Sequence, residues 1–310
     1  MLDVLSNLSK LRSLCVCSHI DLDNPPSTGP LRLVTTFLTS IAPNLTGLSL
    51  RLPAITLSNL LGSELSYIPD LRLEKLRISI TRGYAIGQQS CPPNRVIALV
   101  GKTTQCAKSL EFYCWDFDFD MSSFLSGLAN LRFPHLKKFG IGVLMDNSIM
   151  PDATSLNEFL LAHNSTLTDL SLPHGLQVRI PYPTFYEWYR CSFQGIPLNH
   201  TLRGLQLSVL YSITYLDPPF LSILGSIYTS LTSLTFLTNS LSLYDVEMLL
   251  KEFTCNQLKS IKLDLLKLDT KLVDLLKKRC PKLEELVLEL RCNFDNIREH
   301  ESRRVSLPFA

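Results

Sequence analysis

Residues 99–113 read LVGKTTQCAKSLEFY, and two incompatible structures compete for them. Gly101-Lys102-Thr103 has the ending of a phosphate-binding loop, whereas Leu110, Tyr113 and Trp115 have an apolar spacing that recurs along the chain. A phosphate-binding loop needs a glycine five residues ahead of its second glycine, between a strand and a helix N-terminus. Val96 occupies that position, so the stretch is read as one turn of a repeat. Gly101 is then expected to break or end a helical segment before the next strand.

Aligning the chain on LxxLxL-like hexapeptides gives ten lines. They are LRSLCV at Leu11, LTGLSL at Leu45, LEKLRI at Leu73, LEFYCW at Leu110, LKKFGI at Leu136, LTDLSL at Leu167, LRGLQL at Leu202, LTSLTF at Leu231, LKSIKL at Leu258 and LEELVL at Leu283. The fourth and sixth residues of each are apolar and the third and fifth mostly are not, the alternation of a strand with one buried face. Between the strands lie segments of helical spacing, such as LNEFLLAHN with Leu156, Phe159 and Leu160, and KLVDLLKKRC with Leu272, Leu275, Leu276 and Cys280. A unit of this size cannot bury its own apolar face, so neighbours must stack with their strands in one parallel sheet. Each buried apolar side chain contributes roughly 1.5 to 3 kcal/mol, so the repeats offset chain entropy only together. The predicted fold is an α/β solenoid of about ten irregular repeats over residues 1–292, strands on the concave side and helices on the convex side, with 293–310 as a polar cap or tail.

RCPKLEELVLEL (279–290), TCNQLKSIKLDL (254–265) and APNLTGLSLRL (42–52) each end a helix in Cys or Ala a few residues before the strand leucine. In this the chain resembles the leucine-rich-repeat family, in particular the irregular, cysteine-containing repeats of F-box proteins. The resemblance implies a non-catalytic module that binds a protein over its concave face, as the substrate-recognition part of an F-box-type ubiquitin ligase. A cullin-type complex would then be a further partner. A stand-alone scaffold or regulator, inhibitor-like or GTPase-regulating, is the other reading. Two departures are visible. The asparagine that ties adjacent turns in regular repeats stands only at Asn239, and no F-box precedes the first repeat, which suggests a remnant of a longer chain.

Thirty basic against twenty-eight acidic side chains, a formal net charge of +2, do not suit a chain that neutralises many phosphates, so nucleic acid is not an expected partner. Nine scattered cysteines fit reduced thiols better than a disulfide framework. With an N-terminus that makes a poor secretion signal, they point to cytoplasm or nucleus, where the sequons at Asn44, Asn164 and Asn199 would carry no sugar. The uncharged stretch 218–244 is long enough for a membrane span, but its many Ser and Thr and its repeat register argue against one.

Asp116, Asp118 and Asp120 alternate in WDFDFD, yet Met121 and Gly127 stand where a calcium loop wants Gly and Glu. They are read as a solvent-facing acidic patch with Trp115, Phe117 and Phe119 packed inward. Cys15 and Cys17 are two apart on a predicted strand and share a face, with His19 nearby, but no second pair follows at zinc spacing. No metal, cofactor or catalytic constellation is nominated. Two surfaces are nominated for a protein partner. One is the concave face, with Arg51, Lys75, Arg77, Asp116, Asp118, Lys138, Asp169, Gln206, Lys262, Asp264, Glu285 and Glu289. The other is the aromatic segment 180–195, with Tyr186, Trp188 and Tyr189 beside Arg190, where Pro181 and Pro183 argue against a regular helix.

Overall fold

The computed structural model describes residues 10–17, 44–64, 71–81, 91–116, 119–145, 152–176, 182–196, 201–210, 230–252, 255–265, 267, 269–291 and 302–308. The chain divides into two compact units, one of Met1–Leu144 with Ile149–Thr166 and one of Met145–Ser148 with Leu167–Ala310. Both are built from parallel strands, most of them followed by a helix among the described residues.

In the first unit β1 (Ser13–Cys17), β2 (Gly47–Pro53), β3 (Lys75–Thr81), β4 (Ser109–Cys114) and β5 (Lys138–Met145) pair in parallel and in chain order. Helices α1 (Ala54–Glu64), α2 (Pro93–Thr103), α3 (Met121–Ala129) and α4 (Ala153–His163) follow β2 to β5. In the second unit β6 (Asp169–Leu176), β7 (Gly204–Leu210), β8 (Ser233–Leu241), β9 (Ser260–Leu265) and β10 (Glu285–Arg291) are parallel, and β11 (Ser302–Pro308) adds antiparallel to β10. Helix α5 (Tyr182–Phe193) follows β6, α6 (Leu243–Glu252) follows β8 and α7 (Thr270–Arg279) follows β9.

One hydrogen-bond device recurs in both units. The N–H groups of Thr46 and Gly47 both donate to the carbonyl of Arg12, those of Glu74 and Lys75 to Thr46, those of Lys108 and Ser109 to Glu74, and those of Lys137 and Lys138 to Lys108. In the second unit Thr168, Arg203, Thr232 and Lys259 accept in the same way. Each turn therefore seats its strand on the previous turn's carbonyl, which satisfies backbone groups that would otherwise be orphaned at the strand entry. The strand starts two residues after the repeat leucine, and that leucine is buried at Leu45, Leu73, Leu136, Leu167, Leu202, Leu231, Leu258 and Leu283.

The ladder corrects the fourth repeat. Leu110 pairs with Leu76, so the residue equivalent to Leu73 is Ala107, fully buried, and the hexapeptide is AKSLEF from 107 rather than LEFYCW from 110. A shift of three residues in a structure of period two turns the strand over. Phe112 and Cys114 go to the helix side, and Glu111 and Tyr113 go to the other. Ala107 lacks the side chain that marks a repeat start, which is why the leucine pattern misplaces it.

Between sheet and helices lies the core. Phe112 on β4 stacks on Phe124 of α3 at 4.0 Å between ring centroids, with Phe119 at 5.5 Å, and Phe139 on β5 meets Phe159 of α4 at 4.5 Å. Asp120 accepts from the Ser123 N–H at the start of α3, Asp152 from Thr154 and Ser155 at α4, and Asp269 from Lys271 at α7. At α6, Ser242 and Asp245 form a reciprocal capping box: Ser242 N–H donates to the Asp245 carboxylate and Asp245 N–H to the Ser242 hydroxyl. Asp120 is thus a helix cap, not part of a calcium loop or a binding patch.

His163, at the end of α4, fastens that helix to the preceding turn. It is 3 % exposed; its Nδ1 faces the Phe159 carbonyl at 2.8 Å, and its Nε2 accepts from the Phe133 N–H at 3.1 Å. Only the neutral ring protonated on Nδ1 satisfies both partners. Burial accordingly holds its pKa below the ordinary imidazole value.

Candidate functional site

On the face of the first unit's strands away from the helices, register sets side chains in rows. One row runs Ser13, Gly47, Lys75, Ser109, Lys138; the next Cys15, Ser49, Arg77, Glu111, Gly140; the third Cys17, Arg51, Ser79, Tyr113, Gly142. Glu111 sits at the centre. Its carboxylate is 2.6 Å from the Lys138 ammonium and 3.7 Å from the Arg77 guanidinium, and it accepts the Tyr113 hydroxyl at 2.8 Å. Arg77 also lies over the Tyr113 ring, 4.7 Å from its centroid. Burial alone would raise the Glu111 carboxyl, but the bonds from Lys138 and Tyr113, with Arg77 alongside, hold it below the usual carboxylate range.

This arrangement orders two cations without cancelling them. The Glu111 side chain is 13 % exposed, while those of Arg77 and Lys138 remain 57 % and 45 % exposed. With Arg51 and Lys75, both exposed, the described side chains of this face carry four cations and one carboxylate. The corresponding face of the second unit has the inverse composition. Asp169, Glu285 and Glu289 stand against Lys262 among its described surface side chains. Lys262 is 2.7 Å from Glu289, and Glu285 accepts the Ser260 hydroxyl at 2.8 Å. Asp264 is buried, unlike the solvent-facing position expected for it, and Gln206 is half-buried.

Of the nominated face residues, the structure brings Arg51, Lys75, Arg77 and Lys138 together. Asp116 lies just past the end of β4, its carbonyl accepting from the Cys114 thiol. Asp118 and the side chain of Tyr186 lie outside the described residues. Glu111 and Tyr113 were missed because of the fourth-repeat register; reading AKSLEF from Ala107 would have found both.

The aromatic segment is a correction. Residues 182–193 form α5, with Pro183 in its first turn, where a missing N–H costs nothing. Trp188 and Tyr189 are 5 % and 0 % exposed and Phe193 is buried with them, Tyr189 stacking on Phe193 at 5.9 Å. These rings are core, so they offer no anchor to a partner. The Gly101-Lys102-Thr103 stretch closes α2, with Thr103 Oγ1 donating to the Leu99 carbonyl at 2.7 Å. The end of a helix that binds phosphate is the N-terminal one; this end carries the opposite partial charge. The helix runs through Gly101 rather than ending there.

Among the described residues no group of three or more His, Cys, Asp or Glu side chains is placed to hold a metal ion, and no helix is long and apolar enough to cross a membrane. No family model matches the chain, and no curated protein matches it.

Proposed function

We propose that the chain is a leucine-rich-repeat recognition module without chemistry of its own, which holds a protein partner against the open faces of its strands. The observation that carries this reading is the cation cluster of the first unit. Arg51, Lys75, Arg77 and Lys138 project from rigid strands, and Glu111 and Tyr113 fix the position of two of them. Preordered side chains lose little freedom on binding, so modest contacts add to useful affinity. Charge of this sign selects an acidic surface and speeds its approach. The acidic face of the second unit suits basic segments of the same or another partner. The resemblance to the repeats of F-box proteins supports a role for that partner as the substrate of a ubiquitin ligase.

Capture of proteins from a cell extract on the full-length chain tests this reading. Lys75→Glu with Arg77→Glu is expected to abolish capture of a defined set of acidic proteins with the fold retained, the melting temperature falling only by the small cost of setting a second carboxylate opposite Glu111. Equal capture by variant and parent refutes the face assignment. The ligase role additionally requires that a cullin complex co-purify with the native protein; partner capture without a cullin leaves a stand-alone scaffold.

A further inference from the structure

Cys15 and Cys17 lie on β1, both exposed, with their sulfurs 3.4 Å apart on the same face as Arg51 and Arg77. They differ from the chain's interior thiols. Cys91, Cys114, Cys255 and Cys280 are buried, out of reach of an ion arriving from solvent.

The extended backbone decides what such a pair can do. Residues two apart on a strand are separated by about 6.7 Å along it, at the upper limit of the Cα spacing that a disulfide tolerates. The strand therefore favours two separate thiols over a cross-link. Rotation of either side chain to another staggered χ1 rotamer would move the sulfurs apart from 3.4 Å toward the backbone repeat of about 6.7 Å. A two-coordinate ion held by two thiolates with bonds of roughly 2.3 Å needs them roughly 4.6 Å apart, inside that range.

We propose that Cys15 and Cys17 form a two-thiolate site for the soft monovalent ion Cu+. Thiolate sulfur favours Cu+, Zn2+ and iron–sulfur clusters, and of these only Cu+ has its shell completed by two ligands, where Zn2+ would need four. On binding, each thiol releases its proton to solvent and forms one sulfur–copper bond; the ion remains Cu+. The resulting unit carries one negative charge. Arg51, the register partner of Cys17 on β2, lies on the same face to offset it. This site stands independently of the protein partner proposed above, since it rests on β1 sulfur geometry alone.

The test is an anaerobic titration of the reduced full-length protein with Cu+ in competition with a coloured Cu+ chelator. The wild-type chain is expected to withdraw one equivalent with two sulfur neighbours in its X-ray absorption spectrum. Cys15→Ser and Cys17→Ser are each expected to weaken that binding at least a hundredfold, while Cys106→Ser, another exposed thiol, leaves it unchanged. Retention of the equivalent by either β1 variant, its loss in Cys106→Ser, or a spectrum without two sulfurs overturns the proposal.

Discussion

Acidification should loosen the first unit through one residue, His163. The folded state holds its ring neutral, with Nε2 accepting the buried Phe133 N–H and Nδ1–H donated to the Phe159 carbonyl. Its folded pKa lies below the ordinary value of 6.5, because burial penalises the imidazolium. A depressed folded pKa means that the unfolded chain binds the extra proton first as pH falls. The contribution is therefore complete above pH 6.5 and is lost on the way down to the folded pKa. The slope for one group is at most about 1.4 kcal/mol per pH unit. His163→Gln supplies an amide oxygen for the Phe133 N–H and cannot titrate. Urea unfolding at pH 7.5, 6.5 and 5.5, followed by Trp115 fluorescence in a Trp188→Phe background, measures both chains. Wild type is expected to lose up to about 1 kcal/mol more than His163→Gln between pH 6.5 and 5.5. At pH 7.5 His163→Gln is expected to be the less stable of the two by about 1–3 kcal/mol, because the amide replaces the ring imperfectly, and this gap narrows as the pH falls. Parallel pH profiles for the two proteins would refute the assignment of a neutral, doubly bonded His163.

Three further outcomes test the fold. Phe124→Ala should cost about 3–5 kcal/mol in urea unfolding, because it removes the ring stacked on Phe112 and leaves a cavity under β4. In an exposed helix Gly→Ala stabilises by about 1 kcal/mol, but a Cβ at Gly127 would lie 2.2 Å from Ile97 Cδ1 on the neighbouring helix. Gly127→Ala should accordingly lower stability by about 1–3 kcal/mol, with Ile97→Val restoring most of it in a double-mutant cycle. Ser242→Ala should cost about 0.5–2 kcal/mol by opening the capping box with Asp245, and a thermal melt of the full chain reads the loss directly.

The strand-and-helix alternation was legible in the sequence because it depends on side chains that announce themselves: a leucine before each strand and alternation within it. Where a repeat begins on a small residue, the announcement is missing. Ala107 performs the packing role of Leu73 and Leu136, but only the carbonyl ladder through Glu74 and Lys108 reveals its register. That slip carried the central carboxylate of the site with it. Arg51, Lys75, Arg77 and Lys138 were readable because their repeats are regular, whereas Glu111 was hidden by the one strand placed upside down. The aromatic segment shows a different limit. Composition marks Trp188 and Tyr189 equally well for a binding anchor or a core. Helix formation through Pro183 turned them inward, a tertiary outcome with no local signal.

The most direct measurement of the central claim is a selection of random peptides on the full-length chain, with binding of the enriched peptides measured across a range of salt. The account predicts sequences rich in Asp and Glu whose binding weakens as salt screens the face and disappears in Lys75→Glu with Arg77→Glu. Glu111→Gln, which releases Arg77 and Lys138 from their fixed positions, should weaken the same peptides while leaving the face cationic. Enrichment of neutral or basic peptides that bind the charge-reversed variant as well as the parent would contradict it.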